Sequence, residues 1–257
     1  MADAKRTDEW ERPKPLTRPG RVVIGVLLLL LNLPLIHYFV FRRAPEANQA
    51  LPYRDDFSNP ATVESNYFST GGQWRVVNGE LLSPGVKDNP LWLRAKLPQN
   101  VAVEFDVRGQ WDCDVRVEIF GDGVDHLSGY ELLHGAWGNQ LSVIARLDQN
   151  APSMASLQQQ AQKLAADQHL AASDVVSTGV YRPGTRVRVE SSARTEPNRT
   201  YHWRIERRGS VLIWYVNGQE LARLDDPFPL TGEGHDRLGL SSWESQLFYD
   251  NLTVTPL

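Results

Sequence analysis

Residues Tyr201 to Leu224 read YHWRIERRGSVLIWYVNGQELARL. Three runs rich in apolar and aromatic residues are divided by two tight turns, Arg208-Gly209 and Asn217-Gly218. Asn-Gly between apolar runs suits a type I′ hairpin, because both central residues need positive φ and these two residue types reach it at least cost. The stretch therefore predicts a three-stranded antiparallel meander. A second Asn-Gly turn, in WRVVNGEL from Trp74 to Leu81, predicts another hairpin.

The same grammar extends outward. Val101 to Arg108 places Val101, Val103, Phe105 and Val107 on one face and Glu104, Asp106 and Arg108 on the other, the period of two of a half-buried strand. Cys113 to Ile119 repeats it with Cys113, Val115, Val117 and Ile119 inside. Gln140 to Leu147 sets Leu141, Val143, Ala145 and Leu147 against Ser142, Ile144 and Arg146, and Thr185 to Glu190 alternates through Val187 and Val189. Short strands at this spacing without βαβ alternation indicate an antiparallel sandwich or barrel. One stretch departs: Ala151 to Asp174 has Met154, Leu157, Ala161 and Leu164 at helical spacing and reads as an inserted amphipathic helix packed on the sandwich edge, with a lid or a helix that docks a protein partner as the functional alternative.

Before this domain, Val22 to Phe41 reads VVIGVLLLLLNLPLIHYFVF, without a formal charge. Twenty residues at about 1.5 Å each span about 30 Å, the thickness of a bilayer core, which predicts a transmembrane helix. A cleaved signal peptide has a shorter apolar region and a small-residue cleavage site; here Arg42-Arg43 follows instead. Six Lys and Arg precede the span, so residues 1–21 are expected as a cytoplasmic basic tail, 42–51 as a linker, and 52–257 as an extracytoplasmic domain, periplasmic in a Gram-negative cell. The first 43 residues carry eight basic and four acidic residues, net +4, and the rest carries 19 basic and 27 acidic, net −8. An acidic globular part argues against nucleic acid as a partner. Membrane lipid is the expected partner of the helix. A single cysteine excludes a disulfide framework.

Several motifs resemble a known group: Asp55-Asp56-Phe57, Gln73 to Leu81, Trp203 to Gly218, Leu238-Gly-Leu240, and Phe248-Tyr-Asp-Asn-Leu-Thr-Val254. Together they are similar to the concanavalin A-like lectin/glucanase superfamily, in particular to bacterial 3-keto-disaccharide hydrolase-type domains. The resemblance covers residues 52 to 257 apart from the helical insert. It implies an all-β, antiparallel jelly-roll sandwich, here with one inserted helix and preceded by a single transmembrane helix. Laminarinase-like members carry Glu-x-Asp-x-x-Glu on one strand, two Glu serving as nucleophile and acid/base. The nearest approach is Glu104-Phe-Asp106-Val-Arg108-Gly109, which lacks the second Glu.

The resemblance and the anchor lead to one expectation: a binding domain for carbohydrate or a cell-envelope component. The alternatives are a glycoside hydrolase or lyase of the keto-disaccharide type and a structural protein-interaction domain. No catalytic residue is assigned; Glu104, Asp106, Glu131 and His134 are the candidates. Sugar rings stack on flat aromatic faces, and of the domain's tryptophans Trp111 and Trp137 sit among Gly and polar residues, whereas Trp74, Trp203 and Trp214 have aliphatic neighbours and belong in the core. The unit SGYELLHGAWGNQLS (Ser128 to Ser142) adds Tyr130, His134 and Asn139 as ligand contacts. The turn Gly121-Asp122-Gly-Val-Asp125-His126 offers Asp122 and Asp125 as candidate calcium ligands, with Asp55 and Asp56 also weighed, but it lacks EF-hand spacing and reads first as a solvated acidic turn. A structural calcium ion is the one cofactor the superfamily brings into view; zinc spacing, phosphate loop and nucleophile elbow are absent from the sequence.

Overall fold

The computed structural model describes residues 17–41, 44–111, 114–146, 187–226 and 229–257. The chain divides into two compact units, Met1–Arg43 and Ala44–Leu257, taken separately below.

In the first unit, helix α1 spans Arg18–Phe41, four residues earlier than the apolar run begins. Thr17 accounts for the difference: its hydroxyl accepts the Gly20 N–H (3.3 Å) as an N-cap, and Pro19 falls in the first turn, where its missing N–H costs nothing. Asn32, a polar guest in the apolar run, donates its side-chain amide to Leu28 O at 2.7 Å and so satisfies itself within the helix. Among the described residues α1 is the one helix long and apolar enough to cross a membrane.

The second unit is a sandwich of two antiparallel sheets. In chain order its elements are β1 (Tyr53–Asp55), α2 (Thr62–Asn66), β2 (Tyr67–Ser69), β3 (Arg75–Val77), β4 (Glu80–Leu82), β5 (Leu91–Leu93), β6 (Val101–Gly109), β7 (Val115–Gly121), β8 (Tyr130–Gly135), β9 (Leu141–Arg146), β10 (Val187–Ser191), β11 (Tyr201–Arg208), β12 (Val211–Val216), β13 (Gln219–Asp225), β14 (Arg237–Ser242) and β15 (Leu247–Pro256). One sheet has eight strands in the order β13-β12-β11-β6-β15-β4-β3, with β1 also on β15. The other has seven, β10-β9-β8-β7-β14-β5-β2. The expected meander is β11-β12-β13, and both Asn-Gly hairpins form with positive φ at each residue (55° and 84° at Asn78 and Gly79, 52° and 78° at Asn217 and Gly218).

The main core lies between the sheets and takes the inward residues of β6, Val101, Val103, Phe105 and Val107, together with Val117, Ile119, Leu132 and Leu240. Trp203 and Trp214 pack at its centre, ring centroids 4.4 Å apart and planes tilted by 55°, as their aliphatic neighbours predicted. β9 adds a detail its alternation left open. Ile144 joins the main core, while Val143 and Ala145 form a separate small cluster with Leu133 and Ala136. Strands β7, β8 and β14 are buried along their whole length on both faces, whereas β6 and β11 are half exposed on their outer face. The segment read as a linker is partly docked: the N–H groups of Asn48 and Gln49 both donate to Arg94 O at 2.9 and 3.0 Å. The helix expected over 151–174, and Cys113, lie outside the described residues.

Candidate functional site

The doubly buried strands β7 and β8 show where the chain departs from a plain sandwich. Their outer face forms the floor of a cleft of 610 Å³, lined by Trp111, Trp137, Trp243, Arg116, Glu131 and His126 among others. Trp111 and Trp137 are 65% and 54% exposed, the two exposed tryptophans of the domain. Trp111 follows the end of β6. Trp137 stands in the β8–β9 connection, where Gly135, Trp137, Gly138 and Asn139 all have positive φ (73°, 52°, 68° and 61°). A bulky residue in the left-handed region costs about 1–3 kcal/mol, so the surroundings must hold the turn in place. Asn139 does so: its Oδ1 accepts the Thr195 N–H and its Nδ2 donates to Thr195 O, each at 2.8 Å. A Cβ on Gly135 would come within 2.5 Å of the Thr195 hydroxyl, so the turn admits no side chain there.

The floor is ionic and almost fully buried. Glu118 of β7 and Glu131 of β8 are directly paired across the two strands, and each is fully buried. Glu118 is held from behind: the N–H groups of Leu127, Ser128 and Gly129 donate to it at 3.0, 2.8 and 2.8 Å, and the Ser128 hydroxyl at 2.9 Å. Gly129 permits this approach, since a Cβ there would meet Ile119 O and Gly121 N at 2.6 Å. The loop so folded delivers His126, whose Nδ1 stands 3.1 Å from Glu131 Oε1 and 3.3 Å from Glu118 Oε2, and whose Nε2 stands 3.0 Å from Asp88 Oδ1. Neither contact of Nδ1 has hydrogen-bond geometry, and neither Glu131 oxygen accepts a hydrogen bond. Asp114 Oδ1 and Arg116 Nε in the same cleft are likewise without partners.

Burial pushes the Glu118 carboxyl up to about 7, with the neighbouring Glu131 adding to the rise and His126 pulling against it. Burial also opposes ionisation of Glu131, but His126 and then Arg116 outweigh it and hold that carboxyl below its ordinary value. Burial alone would lower His126; the two carboxylates raise it to about 10. Arg116 lies 4.9 Å over the Trp243 ring and 3.5 Å from Asp114.

The structure thus separates the residues expected to act together. Trp111, Trp137 and Glu131 meet in the cleft. Tyr130 and His134 alternate with Glu131 along β8 and face the interior. The Tyr130 hydroxyl donates to Asp226 at 2.7 Å, and Asp226 in turn accepts from buried Arg146 at 2.6 Å. His134 packs edge-on to Tyr201 and Trp214, and burial lowers it to about 4. It borders a second cavity of 460 Å³ with Arg194, Asn217 and Glu220. Asn139 is a clamp on Thr195. Glu104 and Asp106 lie on the outer face of the other sheet, paired with Arg204 and with His202 and Asn251 respectively. Asp122 is occupied by its own turn, accepting the N–H groups of Val124 and Asp125 at 2.7 Å, and Asp125 is exposed. Asp55 accepts from Tyr53, Tyr67 and the Phe57 N–H, while Asp56 accepts the Ser58 N–H. In the turn weighed as a calcium loop, it is His126 rather than the aspartates that reaches a carboxylate cluster. Glu118, Arg116 and Trp243 were not singled out from sequence. The signal was there in the alternation VRVEIFG, which places Arg116 and Glu118 outward, but the same pattern describes a solvated face.

No protein-family model matches the chain, and no curated protein matches it in sequence. Among solved structures, a carbohydrate-binding module CBM66 from Bacillus subtilis superposes with a TM-score of 0.51 at 14% identity, covering 74% of this chain and 95% of the module. A β-glucanase from Bacillus licheniformis superposes at 0.50 and 10% identity, covering 82% of this chain and all of that one (100%). At these identities the likeness shows the fold, a two-sheet jelly-roll sandwich.

Proposed function

We infer that the cleft over β7 and β8 binds carbohydrate and that α1 anchors the domain in a membrane, N-terminus cytoplasmic and domain outside. One observation carries the binding reading. Buried polar atoms that have ionic neighbours but no hydrogen-bond partner, on Asp114, Arg116, His126 and Glu131, are gathered beneath two exposed indole rings. Most buried polar groups are hydrogen-bonded, and core indoles such as Trp203 and Trp214 are exceptions here too; what marks the cleft is that charged groups share the lack beside an open cavity. Acceptors and a guanidinium donor under aromatic walls suit a ring that presents CH faces and several hydroxyls. The solved neighbours, a carbohydrate-binding module and a glucanase, support the reading by fold. The basic flank of α1 supports the orientation.

The test is a glycan array probed with the full-length chain in detergent, beside the Trp111→Ala variant. Binding to at least one saccharide, lost or weakened about tenfold in the variant, is expected; no binding to any saccharide overturns the reading. A second reading, hydrolysis or lyase chemistry, draws on the opposed carboxyls of Glu118 and Glu131, since glycosidases work with paired acids. Release of reducing sugar by the same preparation, abolished in Glu131→Gln, would favour it.

A further inference from the structure

Glu118, His126 and Glu131 are drawn from two adjacent strands and one loop, and one ligand atom from each lies within 4.8 Å of the others. The spacings are those of a coordination shell. Atoms bound side by side to a divalent ion at 2.0–2.1 Å stand about 3.0 to 3.4 Å apart, and His126 Nδ1 is 3.1 and 3.3 Å from the two carboxylates. A hydrogen bond would explain such distances equally well if the ring N–H were directed at an oxygen. Here it is not, and both Glu131 oxygens, fully buried, are left without a donor at the cleft floor.

The other ring nitrogen completes the pattern. Nε2 faces Asp88 at 3.0 Å, an arrangement that keeps a proton on Nε2, so that an ion entering between the carboxylates displaces only the Nδ1 proton and takes its place. Glu118 is oriented in the same way by three backbone N–H groups and a hydroxyl.

The geometry points to a binding site for a first-row divalent transition-metal ion, held by Glu118, His126 and Glu131 at the floor of the cleft. Two carboxylates neutralise the ion's charge, and the imidazole selects Mn²⁺ or Zn²⁺ over Ca²⁺ and Mg²⁺, which take oxygen ligands. His126 and Glu131 line the cleft while Glu118 lies beneath it, so the remaining coordination positions open toward Trp111 and Trp137. The proposal shares His126 and Glu131 with the carbohydrate reading, but the ion is measured without any sugar, so the two can fail separately.

The experiment uses the untagged full-length chain in detergent, stripped with a chelator and titrated calorimetrically with MnCl₂ and with ZnCl₂, and spectroscopically with CoCl₂. One equivalent of ion, visible Co²⁺ ligand-field bands, a rise in Tm on loading, and at least a tenfold loss of affinity in Glu131→Gln and in His126→Gln are expected. Failure of all three ions to bind, or binding that both variants leave unchanged, overturns the proposal. Should the buried variants fail to fold, Asp88→Asn decides, its side chain being 51% exposed. About a tenfold loss supports the site, and unchanged affinity overturns it.

Discussion

The outer faces of the two sheets carry the same residue types and treat them in opposite ways. On the eight-stranded sheet, Glu, Asp, Arg and His form a saturated ladder. Arg108 reaches Glu80 through two nitrogens at 3.0 and 2.5 Å, Arg204 bridges Glu104 and Glu206, and Asp106 takes both His202 at 2.8 Å and Asn251 at 2.9 Å. On the seven-stranded sheet the same chemistry is buried under loops and tryptophans, with several polar atoms left without partners. A charged group in water is always solvated, whereas a buried one has only the partners the fold supplies. The contrast separates a solvated face from the buried one to which the proposed function assigns a ligand.

The largest effect that would sharpen this contrast is on binding. Joint replacement Trp111→Ala/Trp137→Ala is expected to weaken saccharide affinity about a hundredfold, about 3 kcal/mol, with Tm little changed because both rings are exposed. Calorimetry and melting on one preparation measure both. An unaltered affinity would remove the cleft face from the comparison altogether.

Next in size is an acid limb that belongs to neither outer face. His134, neutral between the sheets and lowered to about 4, contributes stability that is present above its unfolded value near 6.5 and lost as pH falls toward 4. The loss is up to about 3 kcal/mol across that window. Urea unfolding at stepped pH should show it, with a shallower slope in His134→Phe; equal slopes would place the acid sensitivity on the outer faces instead.

The most direct comparison applies one substitution to both faces. Glu118→Gln turns one of the two accepting oxygens, which together hold three backbone N–H groups and a hydroxyl, into an amide donor facing N–H groups, and is expected to cost about 2 kcal/mol and to speed amide exchange within Leu127 to Gly129. Glu104→Gln, on the solvated ladder, should cost less than about 1 kcal/mol. Equal costs would mean that the two faces differ in appearance only.

Much of the fold was legible because it is local. Asn78-Gly79 and Asn217-Gly218 specify their hairpins through φ alone, and the alternation of β6 needs no knowledge of its neighbours. The short strands β1, β2 and β5 and the five-residue α2 were not, since three to five residues carry too little periodicity. The cleft was half legible. Trp111 and Trp137 stood out by their Gly-rich surroundings, but reading Tyr130 to Asn139 as one contact surface ignored the pleat, which sends Tyr130 and His134 inward and Glu131 outward. The cluster of Glu118, His126 and Glu131 could not be read at all, because it depends on which strands pair and on a loop folded by one of its own members.

The way the eight-stranded sheet ends has a bearing on how the molecule behaves in a crowd. One border is β3, only three residues long, and the other is β13, which turns Glu220, Arg223 and Asp225 to solvent. A strand edge offers open N–H and C=O groups to any second copy, and short or charged edges are poor templates for it. If α1 anchors the chain as proposed, copies confined to one bilayer would meet at high local density, and these borders would resist their polymerising edge to edge.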